Sequence, residues 1–168
     1  MTTSNTLKVM DDLRPDIGLQ AKQRSAVAQK LAAFLASTYL LYLKTLYYHW
    51  NVTGANFHSL HEMFQKQYEN LHKAGDEIAE RIRALGHMAP GTTREFTALS
   101  VIEEDAALPK NSRIMVEHLL RDNEKASLAA RIVFQQAQEV GDEVTADMMI
   151  GRMAYHDEVS WMLRANIE

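Results

Sequence analysis

HWNVTGANFHSLHEMFQKQYENLHKAGDEIAERIRALG, residues 49–86, decides how this chain folds and what it can bind, because it sets metal-ligating residue types along one helical stripe. With residues 58–85 read as one helix, a turn of roughly 100° per residue puts His61, Gln65, Asp76 and Glu80 within an arc of about 100°. Leu60, Phe64, Leu71, Ile78 and Ile82 occupy the neighbouring arc, which is the core-facing one. Axial distance adds a second inference. His61 and Asp76 stand fifteen positions apart, which is about 22 Å along a helix axis, so they cannot share one ion within a subunit. An antiparallel copy of the same helix across a two-fold axis brings His61 of one chain to Asp76 and Glu80 of the other, twice by symmetry. The expected metal site is therefore inter-subunit.

Composition frames that site. A chain of 168 residues fits one domain with a real core. The absence of cysteine excludes disulfides, zinc-thiolate sites and iron-sulfur clusters, and fits a reducing compartment. The opening MTTSNTLKVMDDLRPDIGLQ has no apolar core of a signal peptide and no long hydrophobic run follows, so the expectation is a cytoplasmic protein without a membrane span. Asn51-Val52-Thr53 matches a glycosylation acceptor but sits at an expected helix end, where chance explains it. A net charge of -4 argues against a surface that binds nucleic acid throughout. Residues 1–24 are expected to form a partly mobile N-terminal tail. Up to Arg24 that tail sets four basic side chains, Lys8, Arg14, Lys22 and Arg24, against Asp11, Asp12 and Asp16, a weak phosphate clamp.

The rest of the chain, residues 25–168, reads as helices. Val27, Leu31, Phe34, Thr38, Leu41 and Tyr48 recur at helical steps from about Ser25 to Val52, with Ser25 as the expected N-cap. Gly54 ends that helix, and a second runs from Phe57 to the stop signal Leu85-Gly86. Pro90, Gly91 and Pro109 then mark a long crossover, inside which TREFTALS, residues 93–100, can form a short helix. A third long helix is expected from Ser112 to Val140, broken by Gly141, and a fourth from Glu143 to Asn166 with Met149, Met153, Val159 and Met162 inward. Four long helices joined short, long, short give an all-α, ferritin-like four-helix bundle.

YLLYLKTLYYHWNVTGANFHSLHEMF, residues 39–64, together with DEIAERIRALG, residues 76–86, resembles the Dps mini-ferritins, and the closing ANIE agrees with them. The resemblance implies a hollow homo-oligomer, a dodecamer, that binds iron(II) between two-fold related subunits, oxidises it with hydrogen peroxide and stores the ferric mineral inside. Many relatives also coat DNA, so non-specific DNA is a candidate partner and the nucleoid a candidate location. Carried over by residue, His49 and His61 match the family's histidine ligands, and Asp76 and Glu80 the carboxylates supplied by the partner subunit. Gln65 departs from the pattern, since the family usually has Asp or Glu four residues after the second histidine. A neutral amide is a weaker ligand for iron(II), so one of two iron positions is weakened, or another divalent ion is favoured. His58 and Glu62 are the candidates to compensate. Acidic pores at three-fold axes would admit iron, with Asp142, Glu143 and Asp147 as candidates.

Each feature has a plainer reading. Helix histidines are more often core or surface residues than ligands, and His87, His118 and His156 are read that way. Asp76 and Glu80 alone would pass for solvated charges pairing with Arg83, and Asp142, Glu143 and Asp147 for acids at a helix N-terminus. Trp50 is read as core, with capture of oxidising equivalents as the rival that the resemblance implies. Glu69-Asn70-Leu71-His72 is a lone Glu-x-x-His, where bundle-core di-iron proteins need two; His72 is placed near the two-fold axis. The expected activity is that of a ferroxidase. The competing reading is a DNA-coating protein of the same fold with weakened metal chemistry.

Overall fold

Capping side chains and two left-handed glycines set the helix ends in the computed structural model, which describes residues 15–167. The helices are α1 (Ala21–Asn51), α2 (Phe57–Ala84), α3 (Thr93–Leu99), α4 (Ser112–Val140) and α5 (Glu143–Ala165), and no strand occurs among the described residues. Asn111 Oδ1 accepts from the Ile114 amide to open α4, and Asp142 Oδ1 from the Thr145 amide to open α5. Thr92 and Glu95 close a reciprocal capping box on α3. Gly86 and Gly141 end α2 and α4 at φ 87° and 74°, a region where a side chain is disfavoured.

Four of these helices begin close to where the sequence placed them; α1 does not. It starts at Ala21, four residues before Ser25, because the Gln20 amide donates to Gln23 Oε1 at 2.7 Å and opens the helix there. The expected tail thus already turns helical at its last four residues, and Lys8, Asp11, Asp12 and Arg14 lie outside the described residues.

α1 and α2 form one hairpin and α4 and α5 another; α1 also packs on α4 and on α3 of the crossover. Surrounded on these sides, α1 buries side chains around most of its circumference, from Val27 to Tyr48. It is consequently long and apolar enough to cross a membrane by length and composition, which corrects the expectation that no such run exists; 61% of its most apolar window is buried inside the bundle. Leu60, Phe64, Leu71, Ile78 and Ile82 of α2 all face this core, as their arc required. Each such side chain contributes about 1.5–3 kcal/mol by leaving water.

Polar groups join the two hairpins. Lys44 of α1 makes a buried ion pair with Asp122 of α4 at 2.6 Å and approaches Asp105 of the crossover at 3.6 Å. Tyr48 donates to the Asp105 carboxylate. Burial alone would raise the Asp105 carboxyl, but the Tyr48 hydroxyl, Lys44 and His118 more than offset it and hold the group below the usual carboxylate range. On the opposite seam, Arg81 of α2 pairs with Asp142 at 2.6 Å and Arg152 of α5 donates to Asn70 at 2.8 Å.

Candidate metal centre

The metal-ligating residues start from the α1–α2 hairpin. α1 stops at Asn51, Gly54 takes φ 110° in the short connection, and α2 begins at Phe57. This reversal sets the last turn of α1 against the second turn of α2, and the rings of His49 and His61 stack there, 3.8 Å between centroids and 20° apart in plane.

The backbone fixes both rings. His49 Nδ1 donates to the His61 carbonyl and His61 Nδ1 to the His49 carbonyl, each at 2.9 Å. A carbonyl can only accept, so each ring carries its proton on Nδ1 and keeps the Nε2 lone pair for a ligand. Metal-bound histidines are usually oriented in this way, through the nitrogen that does not bind. Tyr68 stands edge-on to His49 at 5.1 Å and Phe57 lies 5.1 Å from His61, so aromatic walls flank the pair.

Gln65 lies one turn beyond His61, exposed, with its amide nitrogen donating to Glu69 Oε1 at 2.8 Å. That bond assigns the amide orientation and leaves the carbonyl oxygen as the free ligand atom. His58 and Glu62 pair with one another at 3.3 Å on the exposed surface. Asp76 and Glu80 are exposed on α2, and among the described residues neither makes a hydrogen bond or an ion pair. Arg83 does not pair with Glu80; it donates to the His87 carbonyl at 3.1 Å. Within one subunit no three histidine, aspartate or glutamate side chains converge on a metal position among the described residues. The structure therefore unites His49 and His61 and leaves Asp76 about 22 Å and Glu80 about 28 Å further along the helix from His61.

Other expectations resolve here. Trp50 is 67% exposed, which corrects its reading as core: it follows His49 on α1 and projects outward with Leu43 and Tyr47. Asp142 is no free pore carboxylate, because it is buried as the α5 cap and held by Arg81 and Thr145; Glu143 and Asp147 stay exposed. His156 is fully buried, donating from Nδ1 to Asn123 Oδ1 at 2.9 Å, with Arg152 on Nε2. His118 contacts Asp105 and Tyr48, and His87 is buried at the end of α2. His72 is exposed, 5.5 Å from the Tyr42 ring. Sequence reasoning missed Tyr68, although seven residues after His61 brings a helix back to within about 20° of the same direction.

Comparison with known proteins agrees with the four-helix fold. The ferritin-like domain family matches residues 28–168. A low temperature-induced protein of Nostoc sp. is 40% identical over 92% of this chain and 87% of its own length. DNA protection during starvation protein 2 of Bacillus anthracis is 34% identical over 83% of this chain and 94% of its own. The crystal structure of a Dps protein from Vibrio cholerae, described as a member of a broad superfamily of ferritin-like diiron-carboxylate proteins, superposes with a TM-score of 0.87. It is 26% identical and covers 95% of this chain and all of its own.

Proposed function

Since this chain belongs to the Dps family of ferritin-like proteins, we propose that it binds iron(II) between two-fold related subunits, oxidises it with hydrogen peroxide and stores the ferric product inside a hollow homo-oligomer. The observation that carries this reading is the His49–His61 pair, whose Nδ1 protons are tied to backbone carbonyls so that both Nε2 atoms remain available. Two imidazoles make half of a ligand set. The other half is assigned to Asp76 and Glu80 of the two-fold related copy, two exposed carboxylates one helical turn apart that have no hydrogen-bond or ion-pair partner among the described residues of their own subunit.

In this mechanism iron(II) is the substrate. His49 and His61 hold it through Nε2, and the two carboxylates add negative charge that favours the ferric state. The Gln65 carbonyl offers a neutral oxygen where a carboxylate would bind a second ion more tightly, so the site holds one iron strongly and a second weakly. Protection of DNA follows from removing iron(II) and peroxide together. The assembly is proposed to be a dodecamer, and another divalent ion remains an alternative occupant.

The test is stopped-flow oxidation of iron(II) by peroxide, with Glu80→Ala beside the wild type. Ferric absorbance that rises quickly in the wild type and is lost in the variant supports the reading. A wild-type rate no faster than buffer overturns it, and a strong, salt-sensitive DNA shift in the same preparation would then favour the DNA-coating alternative.

A further inference from the structure

The seam between α1 and α2 carries a row of tyrosines that binding iron does not require. From the stacked His49–His61 pair, Tyr68 lies 5.1 Å from the His49 ring. Tyr42 lies 6.3 Å beyond Tyr68, and Tyr39 a further 6.3 Å beyond Tyr42. Tyr39 then stacks on Phe96 at 4.7 Å and presses on the backbone of Gly75, where an added Cβ would stand 3.0 Å from its ring. Gly75 immediately precedes Asp76. The row thus runs from the histidine end of the ligand stripe to the turn that bears its first carboxylate. All three tyrosines are half-buried, and among the described residues none of their hydroxyls makes a hydrogen bond. Each neighbour lies within the range of direct aromatic contact.

Gln65 gives this row a use. Peroxide takes two electrons to become two hydroxides, and one iron(II) supplies one. A site that holds its second iron weakly lacks the other electron at the moment of reaction, and single-electron cleavage would release a hydroxyl radical. Resting on the iron-oxidising reading above, we propose that Tyr68, Tyr42 and Tyr39 form a one-electron relay that supplies the missing electron and carries the resulting radical along the α1–α2 seam.

The chemistry balances. Iron(II), the Tyr68 phenol and hydrogen peroxide give iron(III), the Tyr68 phenoxyl radical, one water and one hydroxide; the O–O bond breaks and the phenol proton ends in the water. The radical moves when Tyr42 passes an electron to Tyr68 across the touching rings; Tyr68 takes a proton from water and Tyr42 releases its phenol proton to water, both rings being half-buried, and Tyr39 then does the same for Tyr42. A second iron(II), with a water as proton source, returns the tyrosine to its phenol and leaves iron(III) and hydroxide. Two iron(II) are oxidised per peroxide, and the tyrosines are regenerated.

The test loads the assembled protein anaerobically with iron(II) at one ion per site, adds peroxide and freeze-quenches for electron paramagnetic resonance. Ring-deuterated tyrosine identifies the signal, and a spin trap runs in parallel. The wild type is expected to show a tyrosyl radical that narrows on deuteration, with little hydroxyl adduct. Tyr68→Phe, which keeps the ring and its packing, is expected to lose that signal several-fold and to gain hydroxyl adduct, with calorimetric iron(II) binding unchanged. Tyr42→Phe should leave a longer-lived radical confined to Tyr68. If the wild type oxidises iron rapidly while Tyr68→Phe keeps the same radical and the same adduct yield, the relay is wrong and the iron site stands. If the wild type does not oxidise iron at all, both fail.

Discussion

Acidification should destabilise this protein through His156, a residue far from the proposed iron site. The imidazole is fully buried, and burial, followed by the repulsion of Arg152, pushes it down to about 3 from an ordinary value of 6.5. Between those two values the unfolded chain binds a proton that the folded chain refuses. Stability from this group is therefore complete above the unfolded value and is lost as pH falls towards the folded one. Integrating the two titrations gives a loss of about 2 kcal/mol between pH 7 and 5 and about 3 kcal/mol by pH 4. For a chain of this size that is a fall in Tm of roughly 6–12 °C. The assay is urea unfolding at fixed subunit concentration at pH 7, 5 and 4, for the wild type and for His156→Gln. The glutamine amide can still donate to Asn123 Oδ1 and accept from Arg152 but does not titrate. The two proteins differ only at residue 156, so the difference between the two pH profiles isolates His156. The variant should lose about 3 kcal/mol less than the wild type on going to pH 4. Parallel profiles would refute the reasoning and mean that the core opens to protonate the ring at small cost.

Three further outcomes are expected. Asp122→Ala removes the carboxylate 2.6 Å from buried Lys44 and should cost about 3–5 kcal/mol in chemical denaturation, because the ammonium is left in the core with only the more distant Asp105. Gly141→Ala forces a side chain into φ 74° at the end of α4 and should cost about 1 kcal/mol. Gln65→Asp restores an anionic oxygen one turn from His61 and should raise the calorimetric iron(II) stoichiometry at the site; unchanged stoichiometry would show that the amide is not what limits the second position.

The sequence by itself determined the periodic features. The step of three and four residues fixed α2 and its core arc, Gly54, Gly86 and Gly141 marked helix ends, and the stripe from His61 to Glu80 was legible because a helix repeats its directions at known spacing. Even the impossibility of a single-subunit site followed from helix rise alone. Expectations failed where a residue's environment depends on a distant segment. Ser25 looked like a cap, yet the Gln20–Gln23 contact opened α1 earlier. Trp50 looked like core, but the packing of α1 on α2 and α4 left that face of the helix in solvent. Asp142 fitted a pore carboxylate until Arg81, 61 residues away, was found holding it. Only the tertiary structure decided which nitrogen of His49 and His61 is free, since each proton is fixed by a carbonyl 12 residues distant, and only it lined up Tyr68, Tyr42 and Tyr39 across two helices. Periodicity is written in the chain because each turn depends on its nearest neighbours, whereas tautomers, partners and exposure are set by whichever surfaces the packed helices bring together.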